Sequence, residues 1–119
     1  MEPLTRVSGV QAAALCDYDG ILIETQAAVG RVNLDQLCAW SAEMGRYAGL
    51  TSTGWNGGGL QTGVFEGSMG SLLLSDVTKG YLVVVSDPTT NSGILRLELD
   101  RAAQRMRTIL SGQEPRAAG

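Results

Sequence analysis

Two rhythms organise the apolar positions of this chain. The clearest is an unbroken run, Tyr81-Leu82-Val83-Val84-Val85, rich in β-branched side chains. Such a run suits a strand covered on both faces or set in a sheet interior. Asp87-Pro88 stops it, because proline cannot donate to a ladder. The rhythm then changes. Leu95, Leu99, Ala102, Ala103, Met106, Ile109 and Leu110 recur at helical spacing, with Ile94 and Leu97 widening the stripe at its start. This predicts an amphipathic helix over 91–110.

The same reading extends upstream. Residues 10–17 form a strand that leads into Asp17-Tyr18-Asp19-Gly20, a hairpin signal because Asp and Gly tolerate positive φ. Ile21-Leu22-Ile23 is the return strand. Residues 29–32 read as a linker. Asn33 is a good N-cap, Gln36 completes a capping-box pattern, and Val32 and Leu37 take the staple positions. Leu34, Leu37, Cys38, Ser41, Met44, Gly45 and Ala48 supply the helical stripe, with Gly49 as the expected C-cap and fraying onward to Thr53. After the glycine-rich loop 54–59 come three strands at even spacing, 61–66, 71–76 and 80–86, joined by short turns. The order is β-β-α-β-β-β-α, an α+β meander, and residues 111–119 read as a flexible tail.

Composition narrows the function. The chain has 119 residues, 44% hydrophobic and 18% charged, the balance of one globular domain. Its net charge is −3 and it has no basic cluster, which argues against nucleic acid as a partner. No apolar run approaches the roughly 18 residues of a membrane span, and the N-terminus lacks a secretory apolar core, so a cytoplasmic protein without membrane insertion is the expectation.

The chemical inventory is thin. There is no histidine, which removes the commonest general base and metal ligand. Cys16 and Cys38 fall inside regular elements and read as free, buried thiols. Asp17 and Asp19 are better explained as turn formers than as an acid–base pair. Gly57-Gly58-Gly59 lacks the Lys-Ser/Thr ending of a phosphate loop. Arg96, Arg101, Arg105 and Arg107 read as solvated helix charges, Arg101 and Arg105 forming an i, i+4 pair with Asp100 and Glu98 nearby, rather than as an arginine finger. No catalytic residue, metal or cofactor is expected, and the chain is read as a non-enzyme.

Taken in order, Gly9-Val10, Asp17-Tyr-Asp-Gly20-Ile-Leu-Ile, the helix from Asn33, Gly80-Tyr-Leu-Val-Val-Val and above all Asn91-Ser-Gly-Ile-Leu-Arg-Leu-Glu-Leu-Asp-Arg-Ala-Ala resemble the roadblock/dynein light chain family. The resemblance covers residues 8–110, taken as one domain. It implies a five-stranded antiparallel sheet with helices on one face, and two copies joined edge to edge. Family members usually carry a helix before the hairpin; here it is expected to be truncated or absent. They act as scaffolds or regulators of Ras-like small GTPases, some in bacterial polarity or motility, and the resemblance implies such a partner here.

The residues agree with self-association. The strand from Leu60 to Glu66 has a central glycine and no charge before Glu66, a poorly protected edge that a copy of itself would hide. Trp40 and Tyr47 stand seven apart on one helix face, and aromatics and Met are enriched at interfaces. The expected homodimer and partner surface is Leu37, Trp40, Ser41, Met44 and Tyr47 with Gln61, Thr62, Val64 and Phe65. The competing reading places Trp40 in the protomer core. A rival function, a small-molecule sensor of profilin-like or PAS-like type, would require a cavity with convergent polar groups.

Overall fold

The computed structural model describes residues 2–28 and 32–110, so most of the expected linker at 29–32 and the expected tail at 111–119 lie outside the described residues. Eight elements follow one another: α1 (Glu2–Thr5), β1 (Val10–Asp17), β2 (Leu22–Ala28), α2 (Leu34–Gly54), β3 (Thr62–Gly67), β4 (Gly70–Asp76), β5 (Gly80–Ser86) and α3 (Ser92–Leu110). The five strands form one antiparallel sheet in the order β2-β1-β5-β4-β3. Fold class and element order are those expected. Before the hairpin stands one helical turn, α1, whose Leu4 is fully buried and packs in the core with α3.

The turns follow from their residues. Asp17 Oδ1 accepts from the amides of Asp19 and Ile21, both at 2.9 Å, and Gly20 takes a φ of +86°. That is the turn-forming role expected of Asp17. Asn33 caps α2, its Oδ1 accepting from the Gln36 amide at 3.1 Å. Asn91 does the same for α3 through Ile94.

One expectation is corrected. The helices do not share a face of the sheet. α3 buries Leu95, Leu99, Ala102 and Ala103 against Ala13, Leu15, Leu73, Leu82 and Val84. α2 buries Cys38 and Ala42 against Ala14, Cys16, Leu74, Tyr81 and Val83. Successive strand residues point to opposite faces, so Leu15 and Cys16 belong to different layers. The unbroken apolar run of β5 is the sequence-level sign of this sandwich: both faces of the strand are covered.

A second correction concerns the end of α2. The helix does not stop at Gly49 but runs to Gly54. The Thr51 and Thr53 hydroxyls donate to the carbonyls of Tyr47 and Gly49, each at 2.9 Å. The chain turns away only after Trp55, where Asn56 adopts a φ of +65°. Asparagine tolerates the left-handed region and so serves where glycine was expected.

The two edges of the sheet differ. The β3–β4 ladder keeps regular register from Thr62↔Ser75 to Gly67↔Gly70. The β2–β1 ladder shifts register twice, between Ala13 and Ala14 and between Leu15 and Cys16.

Candidate partner-binding surface

α2 meets the sheet through small residues. Cys38, Ser41, Ala42 and Gly45 are buried, whereas Leu34, Leu37, Met44 and Ala48 are only half-buried along the flanks. The ring of Tyr81 sets this limit. A Cβ built on Gly45 would lie 2.6 Å from a Tyr81 ring carbon, so only glycine lets the helix approach. The wide stripe expected from the sequence therefore narrows to its smallest members.

The opposite side of α2 faces away from the protomer. Trp40 is 57% exposed and Tyr47 58%. At 3.6 residues per turn they stand about 20° apart around the axis. Half-buried Leu37 and Met44 border them. Arg46 donates to Glu43 at 2.9 Å, and its guanidinium lies 4.4 Å from the centroid of the Tyr47 ring. Trp40 thus points outward, against the competing reading that packed it inside the protomer. Ser41 is corrected in the other sense. It is fully buried, its hydroxyl has no hydrogen-bond partner among the described residues, and it contributes nothing to the surface.

β3 supplies the remaining expected residues, and the pleat divides them. Phe65 pairs with Leu72 on the α2 side, its ring lying over Gly63. Thr62 and Val64 pair with Ser75 and Leu73 on the α3 side. Gln61 is exposed just before the strand, and its carbonyl accepts from the Asp76 amide at 2.9 Å. Phe65 is 37% and Val64 45% exposed. Leu60, which leads into β3, packs on the α2-side cluster, so α2 and Phe65 lie over the same face of the sheet.

Two exposed apolar residues were missed by the sequence reading. Leu50 is 60% and Trp55 68% exposed, both at the C-terminal end of α2. Leu50 lies three residues beyond Tyr47, a spacing that could have found it. The premature stop assigned at Gly49 hid it.

The reactive groups are enclosed. Cys16 and Cys38 are free and fully buried beside one another between β1 and α2. Burial, reinforced by the neighbouring Cys38, pushes the Cys16 thiol up to about 12. Burial also raises Cys38. Thiols held protonated in this way are poor nucleophiles. The Tyr18 hydroxyl donates to Asp76 at 2.9 Å, and its ring meets Tyr81 edge-on at 5.1 Å. Among the described residues no group of three His, Cys, Asp or Glu is placed to hold a metal ion.

Arg101 pairs with Glu98 at 3.2 Å, as expected, and Arg96, which had no expected partner, pairs with Asp100 at 3.4 Å. Arg107 departs from the expected solvated role. Its Nε donates to the Asp76 carbonyl at 2.9 Å, tying the end of α3 to the β4–β5 turn.

The Roadblock/LC7 domain profile matches residues 1–86. The chain belongs to that family. The protein MJ0714 of Methanocaldococcus jannaschii is 30% identical over 106 residues, 89% of each chain. Among solved structures, the Roadblock/LC7 domain from Streptomyces avermitilis superposes with a TM-score of 0.82 at 19% identity, over 92% of each chain. MglB of Myxococcus xanthus superposes with a TM-score of 0.83 at 23% identity, over 92% of this chain and 89% of its own. These two likenesses are of fold. No helix among the described residues is long and apolar enough to cross a membrane.

Proposed function

We propose that this Roadblock/LC7 domain is a non-enzymatic homodimeric regulator or scaffold of a Ras-like small GTPase. The carrying observation is the outward Trp40–Tyr47 stripe of α2, together with an open sheet edge at β3. A 21-residue helix that turns large aromatics away from its own sheet has surface to bury elsewhere. Pairing β3 with its copy about a two-fold axis hides the edge and brings two α2 helices side by side. Family membership supports the partner class. The thiols are enclosed and the chain has no histidine, and on this reading the protein acts by binding one conformation of its partner.

The sensor alternative is not favoured. The space beneath α2 is closed by the approach of Gly45 to Tyr81 rather than opened into a ligand cavity.

The test is titration of the purified protein against a Ras-like GTPase encoded beside it, loaded with GTP or with GDP. A regulator binds one state more tightly, because a ligand shifts an equilibrium only by its differential affinity. Equal affinity reduces the protein to a tether. Nucleotide binding by the chain itself overturns the reading.

A further inference from the structure

On the α3 side of the sheet, α3 covers β5 and β4 but leaves β3 open. A groove of about 300 Å³ results, running between the β3–β4 hairpin and the first turns of α3. Its floor is aliphatic: Val64 and Leu73, paired across the ladder, with Leu95 from the helix. Its polar side chains are all able to accept hydrogen bonds: Glu66 and Asp87 bring carboxylates, and Ser71, Ser86, Thr90 and Ser92 bring hydroxyls. No lysine or arginine is among the described residues that line it.

We propose that this groove binds an arginine side chain presented by a partner protein. An arginine has the matching anatomy: an aliphatic stem that lies along apolar surface, and a flat head with five donors and no acceptor. Exposed Val64 takes the stem, backed by the buried side chains of Leu73 and Leu95. The carboxylates and hydroxyls take the head, whose fork can bridge two acceptors where an ammonium acts as a point charge.

The electrostatics agree. Hydrogen bonds from the Thr89 hydroxyl and amide hold the Asp87 carboxyl below its usual range, so it stays charged to low pH. With Glu66 across the groove, the site carries negative charge and no internal counter-ion. The inference uses one protomer only and does not rest on the GTPase reading.

The experiment is NMR titration of the full-length ¹⁵N-labelled protein with N-acetyl-arginine amide and with its uncharged isostere, N-acetyl-citrulline amide. The arginine compound is expected to shift the amides of Gly67, Gly70, Ser71 and Ser92. Citrulline is expected to bind about fivefold more weakly, the loss typical of a half-exposed ion pair. Glu66→Gln should produce a comparable loss. Glu66 is exposed, so that variant keeps its fold, whereas Asp87→Asn risks the turn that Asp87 holds. Equal binding of citrulline, shifts that map elsewhere, or an unaltered Glu66→Gln titration would each overturn the assignment. GTPase binding, measured separately, is unaffected by that failure.

Discussion

Gly45 of α2 lies against the ring of Tyr81 from β5 so closely that a methyl group there would sit 2.6 Å from a ring carbon and 2.9 Å from the hydroxyl oxygen. This contact fixes the height of the helix above the sheet, and through it the projection of Trp40 and Tyr47.

Gly45→Ala tests it. Alanine gains about 1 kcal/mol of helix propensity over glycine. Overpacking a tight contact costs about 1–3 kcal/mol. The contact is against a ring held edge-on by Tyr18, so the cost should win, and urea denaturation is expected to show net destabilisation of about 1 kcal/mol or more. A more stable variant means that the ring yields freely.

Ser41→Ala should move stability the other way. Its hydroxyl is buried without a partner, and removing such a group recovers about 1–3 kcal/mol of desolvation cost. The expected outcome is a higher melting temperature and an unchanged assembly state. Destabilisation would indicate that the hydroxyl is satisfied in solution.

Trp40→Ala separates surface from core. Light scattering of the parent at micromolar concentration should give twice the 12.5 kDa chain mass. Truncating a hot-spot aromatic costs about 2 kcal/mol at an interface. The variant should therefore dissociate more readily, or lose partner affinity, with little change in the melting of the diluted protomer. A uniform loss of stability at every concentration would return Trp40 to the fold.

Alkaline pH should unfold the protein early. Cys16 has its folded pKa raised above the ordinary thiol value of 9.0 to about 12, chiefly by burial. Such a group contributes stability that is complete below pH 9 and falls as pH rises toward 12. Burial raises Tyr18 and Tyr81 in the same direction. Denaturation midpoints should be flat through neutral pH and decline above about pH 9, less steeply in Cys16→Ala. Thiol reagents should react at neutral pH only on the unfolding timescale. Rapid labelling of the native protein would contradict the burial of the pair.

Much of the fold was legible because local chemistry dictates it. The run at Tyr81–Val85, the caps Asn33 and Asn91, and the Asp17 turn each announce an element from within a few residues. What escaped depends on distant partners. The run in β5 signals that both faces are covered, but which helix covers which face is set by strand order and connection, which no local pattern encodes. The exclusion of Ser41 from the surface depends on where α2 is rotated against Tyr81. The inward turn of Arg107 depends on an unpaired carbonyl at Asp76, thirty-one positions away. Of the expected surface, Trp40, Tyr47 and the β3 edge were readable from exposed-face spacing, while Leu50 and Trp55 were masked by the wrong helix end.

The two register shifts along β2 bear on how far this sheet can grow. The partners of Ala13 and Ala14 are Ala27 and Thr25, and those of Leu15 and Cys16 are Glu24 and Leu22. Each shift leaves an extra residue in β2, at Gln26 and at Ile23, and bulges of this kind disrupt the row of groups that an incoming strand would read. β3 has no such interruption. A copy joined at β3 would leave only β2 at both outer margins, where the bulges disfavour the addition of a further strand.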